Sequence, residues 1–202
     1  MELDHLAVTG ETLEAAAGHV EAALGAVMAP GGQHARYGTH NRLLGLGAGL
    51  YLEAIAVEPA APAPLDARWF GLDDVAGPPR LSAWICRVRD LEAALAAAPE
   101  GAGRIVALER GDLRWRMAVP QSGHLPFDGV FPALIEWEGA AHPSARLPEA
   151  GCRLGVLEVS HPRAGALRAA LAGLSDPRVR IVEGVPGLRA VIDTPGGERG
   201  LA

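Results

Sequence analysis

The chain has 202 residues, 49% of them hydrophobic, which is enough for a sizeable core in one large domain or two small ones and excludes a disordered chain. A formal charge of −6 without a stripe of Arg excludes a general nucleic-acid partner, since phosphate-backbone binders concentrate positive charge on one face. Two cysteines, Cys86 and Cys152, are too few for a disulfide framework and lack zinc-site spacing, so a reducing compartment is expected.

The opening MELDHLAVTG has acidic residues where a signal peptide needs basic ones, and no apolar stretch approaches a membrane span. The expected location is cytoplasmic, with no membrane partner. Leu3 to Val8 alternate as a strand, and Glu11 to Leu24 place Leu13, Ala16, Ala17, Val20 and Leu24 at helical spacing. After a Gly-rich stretch, Arg42 to Leu46 and Leu50 to Val57 read as strands around Gly47-Ala48-Gly49, a hairpin turn that glycine eases.

The same grammar returns near residue 81. LSAWICRVRDLEAALAA lies over LDHLAVTGETLEAAAGH when Leu81 matches Leu3 and Leu91 matches Leu13, an offset of 78 residues. Asp90 to Ala98 is the second helix. Arg104 to Glu109, Leu113 to Val119 and Ala133 to Glu138 then read as three strands, the last two joined by a long Pro/Gly-rich loop. One supersecondary unit appearing twice constrains the fold strongly, because each copy alone leaves a sheet face uncovered. A third stretch supplies a strand at Arg153 to Val159, a helix at Ala164 to Leu174, and closing strands at Val179 to Glu183 and Leu188 to Asp193. The expected class is α+β: paired βαβββ modules at 1–60 and 80–145 forming a cupped mixed sheet, and a partial βαββ unit at 150–202, packed as one domain.

The pieces LDHLAV, GGQHARYGTHN, YLEAIA, RGDLRWRM and FPALIEWEG followed by HP resemble the vicinal oxygen chelate superfamily, in particular its glyoxalase-like domain proteins. The resemblance covers about residues 1 to 145 and implies a small-molecule site inside the cup, and dimers are common in the fold. Its metal-dependent members draw one His from the first strand and one Glu from the last strand of each module. Carried over, this gives His5 and Glu53 from the first module and Glu136 from the second, where the expected His falls on Ala83. A methyl group cannot coordinate, so a divalent ion such as Zn, Ni, Fe or Mn would have three protein ligands at best unless another His swings in, His34 being the candidate for a fourth ligand or else a substrate donor, or water fills the gap.

Each candidate has a plainer reading. His5 in an apolar strand is either a ligand or a histidine satisfied by a neighbour. Glu53 and Glu136 are either core-facing acids or ordinary surface carboxylates. The resemblance places His34, in its GGxH stretch, on the wall of the cup, with Asn41 supporting that wall. His40 reads as exposed, and His142 and His161, each before a proline, read as exposed turns. His124 belongs either to a lid or to a floppy surface loop. Trp115 reads as packing, Trp137 equally as packing or pocket lining, and Arg116 as a partner for a ligand carboxylate or enolate. No GxSxG elbow, HExxH or phosphate-binding loop is present. The resemblance implies two functions. One is a metal-assisted lyase or isomerase, or a dioxygenase-like enzyme, with Glu136 as the carboxylate base; the other is a metal-free protein that binds or sequesters a small molecule.

Overall fold

The structure, a computed structural model, describes residues 1–47 and 49–202, so Ala48 of the expected hairpin turn lies outside the described residues. The first copy comprises β1 (Glu2–Thr9), α1 (Leu13–Leu24), β2 (Ala29–His34), β3 (Thr39–Gly45) and β4 (Tyr51–Val57). The second comprises β5 (Arg80–Arg87), α2 (Leu91–Ala96), β6 (Arg104–Arg110), β7 (Leu113–Val119) and β8 (Ala133–Trp137). Thr12 caps α1 by accepting from the Ala15 amide, Gly25 ends it at φ 65°, and Asp90 caps α2 through the Ala93 amide.

The eight strands among these elements build one curled sheet, ordered β2-β3-β4-β1-β5-β8-β7-β6. The repeat is written into its centre. β1 and β5 run antiparallel with Leu6 opposite Trp84, flanked by His5 opposite Ile85 and Ala7 opposite Ala83. An offset of 78 carries each of these pairs onto another member of the set, so a pseudo-twofold axis passes between Leu6 and Trp84. On either side, β1 pairs in parallel with β4 and β5 in parallel with β8.

Period-two alternation sorts the sheet into two faces. Leu6, Val8, Trp84, Cys86 and Leu134 face the helices and join Leu13, Ala16, Val20 and Leu24 of α1 in the larger core. Ala7, Ile55, Ala83, Ile85, Trp115, Met117, Ala133 and Ile135 line the concave face with Tyr37, Trp69 and Leu72. Trp69–Asp74, a short 3₁₀ segment in the connection between the copies, lays Trp69 and Leu72 on that concave face.

The C-terminal unit has one strand more than expected. It runs β9 (Arg153–Ser160), α3 (Ala164–Ala170), β10 (Val179–Val182), β11 (Gly187–Thr194) and β12 (Gly197–Leu201), forming a separate sheet ordered β10-β9-β11-β12. The order of elements matches the first two copies but the pairing does not. β9 takes the very next strand, β10, as its parallel neighbour, whereas β1 takes its module's last strand, β4. Leu157, Leu167, Leu188 and Ile192 pack this unit onto the helix-side core, away from the concave face. No helix among the described residues is long and apolar enough to cross a membrane.

Candidate functional site

The concave face closes around a cavity lined chiefly by His5, His34, Asn41, Tyr51, Glu53 and Arg110, with Trp69, Phe70, Trp115, Met117, Ile135 and Trp137 as its apolar walls. It encloses about 30 Å³, room for roughly one or two waters. His5 projects from β1 and stacks on Tyr51, with ring centroids 4.4 Å apart and planes 12° from parallel. Its Nδ1 lies 2.6 Å from Oδ1 of Asp4, and its Nε2 lies 3.7 Å from Oε2 of Glu53. An ionised Asp4 only accepts, so Nδ1 carries the proton and Nε2 is the nitrogen presented to Glu53.

Asp4 is fully buried. Burial alone would raise its pKa, but hydrogen bonds from His142 and His5, together with their charge, hold the carboxyl well below the usual carboxylate range. Its second oxygen accepts from Trp137 Nε1 and His142 Nε2, each at 3.1 Å.

Glu53 is held by Asn41, whose Nδ2 donates to Oε1, while Asn41 Oδ1 accepts from the Gly32 amide at 2.8 Å and from Arg110 Nη1 at 3.3 Å. Gly31 and Gly32 make this possible. A Cβ on Gly31 would lie 2.0 Å from Asn41 Oδ1, and one on Gly32 would lie 2.7 Å from Arg110 Cδ. His34 completes the wall, sharing Nδ1 with Thr39 Oγ1 at 3.0 Å and Nε2 with Arg110 Nη1 at 3.1 Å. Burial, with the neighbouring Arg110 charge, pushes its pKa down to about 3, so its imidazole is neutral.

Of the residues expected at the site, His5, His34, Asn41, Glu53 and Trp137 line one cavity. Glu136 and Arg116 do not join them. Both lie on the opposite face of the sheet, where Glu136 Oε2 accepts from the Leu91 amide at the start of α2 and from Arg116 Nη2, each at 2.8 Å. Arg116 also pairs with Glu92. The reason is register: Glu53 stands beside Ala7, and the equivalent partner of Ile85 is Ala133, so Glu136 is three residues beyond the matching position and faces outward. Glu136→Gln should therefore cost only about 1 kcal/mol of stability, through its helix-start and ion-pair contacts. Urea unfolding should register that loss while ligand titrations of the cup stay unchanged.

The metal-ligand set fails for the same reason. The second copy presents Ala83 and Ala133 where the first presents His5 and Glu53, and among the described residues no group of three His, Cys, Asp or Glu side chains is arranged to hold a metal ion. Of the two imidazoles, His34 has its Nε2 taken by Arg110, which leaves His5 and Glu53 beside a guanidinium, fewer than the three protein ligands that catalytic zinc sites use.

Sequence reasoning missed Asp4, Tyr51, Trp69, Phe70 and Arg110, and misplaced three histidines, His40, His142 and His161. His142 and His161 are not exposed turns. Each uses Nδ1 to accept the amide two residues on, from Ser144 and Arg163, which frees Nε2 for a carboxylate, Asp4 or Asp128. The His-Pro pair was the available signal. His40 is half-buried against Glu58 at 2.9 Å, and His124 packs on the Trp69–Asp74 segment, with Nε2 2.8 Å from Asp74.

The sequence profile of the glyoxalase-like domain family matches residues 3–175. No curated protein matches the chain. Among solved structures, a hypothetical protein from Staphylococcus aureus aligns with a TM-score of 0.61 at 14% identity, over 92% of this chain and 87% of that one, a likeness of fold. Methylmalonyl-CoA epimerase from Mycobacterium tuberculosis aligns at a TM-score of 0.41 and 22% identity, over 69% of this chain and 88% of that one. A Streptomyces coelicolor methylmalonyl-CoA epimerase in complex with 2-nitronate-propionyl-CoA aligns at 0.43 and 15%, over 69% and 95%.

Proposed function

Since the chain belongs to the glyoxalase-like domain family, we propose that its cup is a small-molecule site that works without a metal ion, with His5 and Glu53 as its polar centre. The observation that carries this reading is the pair Ala83 and Ala133, which stands where a second His and Glu would be needed. What remains is a cavity with aromatic walls and a few convergent polar groups, the general form of a small-molecule pocket.

The Asp4–His5–Glu53 arrangement also favours proton transfer within that site. Asp4 fixes the tautomer of His5, so that Nε2 and the Glu53 carboxylate, 3.7 Å apart, are two neighbouring acceptors, either of which can take a proton from a bound hydroxyl or carbon acid and return it. Arg110 and Asn41 keep Glu53 in place and orient the ligand. Trp69 and Phe70 form part of the aromatic wall of the cavity. Two outer clefts adjoin the cup, one of about 240 Å³ sharing Phe70 and one of about 290 Å³ sharing His34.

Elemental analysis of protein purified without chelator or affinity tag tests the reading. The expected result is Mn, Fe, Ni and Zn well below one per chain, with ligand binding indifferent to chelator and weakened about tenfold or more in His5→Ala. One metal per chain, lost on the same substitution, would overturn it.

A further inference from the structure

Arg110 is the last residue of β6, at one edge of the eight-stranded sheet, and β2 forms the other edge. Curling brings the two edges together. The Arg110 side chain crosses the seam over Gly32, where the missing Cβ leaves room for it, and reaches the wall of the cup.

The charge it brings there meets no opposite charge. Among the described residues no carboxylate lies within ion-pair distance of Arg110, although other arginines such as Arg68, Arg116 and Arg146 each have one. Its contacts are two neutral acceptors, His34 Nε2 and Asn41 Oδ1, both taken by Nη1. Nε and Nη2, the edge that suits side-on pairing with a carboxylate, make no hydrogen bond among the described residues. Arg110 is half-buried and these nitrogens are open to solvent, whereas a second donor in the wall is buried: the indole N–H of Trp69 has no acceptor among the described residues. Leaving such a group unmet costs about 1–3 kcal/mol. A ligand bearing acceptor oxygens and one negative charge would pair with the free edge of the Arg110 guanidinium.

We propose that Arg110 anchors the carboxylate of the cup's ligand, which makes the site one for small monocarboxylates with an apolar or aromatic tail. The inference rests on the reading of the cup as a small-molecule site. The tail follows from the walls, where Trp115 and Trp137 lie 5.5 Å apart beside Met117 and Ile135. The single charge follows from the other acids present: a phosphate dianion would be set against the Glu53 and Asp4 carboxylates with one guanidinium to balance it.

The test is a tryptophan-fluorescence and calorimetric titration of two matched series, monocarboxylates from acetate to phenylpropionate and their primary amides. Wild type, Arg110→Gln and Arg110→Lys are compared, with circular dichroism confirming the fold. At least one acid should bind tenfold or more tighter than its amide, Arg110→Gln should erase that preference, and Arg110→Lys should keep part of it. If acid and amide bind alike in wild type, or the preference persists in Arg110→Gln, Arg110 is not the anchor, while binding weakened by His5→Ala keeps the cup as the site. Should Arg110→Gln fail to fold, Arg110→Lys decides: an equal loss for acid and amide overturns the proposal. Binding of no member of either series overturns both the anchor and the cup reading.

Discussion

Replacing Asp4 with Asn should cost the fold about 3 kcal/mol at neutral pH, and the cost should shrink as the solution is acidified. Asp4 is fully buried and accepts from three side chains that belong to different parts of the chain: His5 on β1, Trp137 at the end of β8 and His142 in the connection to the third unit. Asparagine has nearly the same shape, but its amide group would turn a donor toward donors and leave at least one of them unmet. The pH dependence follows from the depressed pKa. An ordinary aspartate titrates near 3.8 and Asp4 in the fold well below that. Its contribution is therefore full above about pH 5 and is lost as pH falls below the unfolded value toward the folded one. Urea unfolding at pH 7 and near pH 3 should show the wild type and Asp4→Asn far apart in the first case and closer in the second. Equal stabilities at pH 7 would mean that the three donors are satisfied without the charge. The substitution should also loosen the cup, because Asp4 is what turns His5 Nε2 toward Glu53.

The fold was legible because alternation is a local property. Val8, Leu6 and Trp84 on one face and Ala7, Ala83 and Ile85 on the other follow from period two alone, and the 78-residue offset holds at every pair of the central ladder. The site was less legible because its partners are remote in the chain. Asp4 meets His142 across 138 residues and Arg110 meets His34 across 76, distances over which no periodicity speaks. Glu136 shows the sharpest failure. LIEWEG resembles YLEAIA in composition, yet the parallel pairing sets Ala133 beside Ile85 as Glu53 stands beside Ala7, and an odd slip of three reverses the face. β2 was hidden for another reason. Ala29–His34 contains Pro30, Gly31 and Gly32, poor strand formers, and forms an edge strand because Asn41 and Arg110 need the space that glycine leaves. β12, short and mostly exposed, gave no alternation to read.

His34 should make the protein lose stability on mild acidification, in a pH window that lies above the one set by Asp4. In the fold its pKa is pushed from 6.5 to about 3, by burial first and then by the charges of Arg110, His5 and His40. The unfolded chain therefore takes up a proton that the folded one refuses. Stability from this group is full above pH 6.5 and falls as pH drops from 6.5 toward 3, at up to about 1.4 kcal/mol per pH unit. The geometry gives the same sign. Nε2 accepts from Arg110 and Nδ1 faces Thr39, so a proton on Nε2 would set N–H against N–H and place a second positive charge 3.1 Å from the guanidinium. Trp69 and Trp115, edge-on at 5.1 and 6.3 Å, leave little water to share that charge. His34→Gln keeps an acceptor for Arg110 but has nothing to titrate, so its stability should be flatter between pH 6 and pH 4, even if lower at pH 7. A wild-type profile already flat in that window would place His34 in contact with solvent.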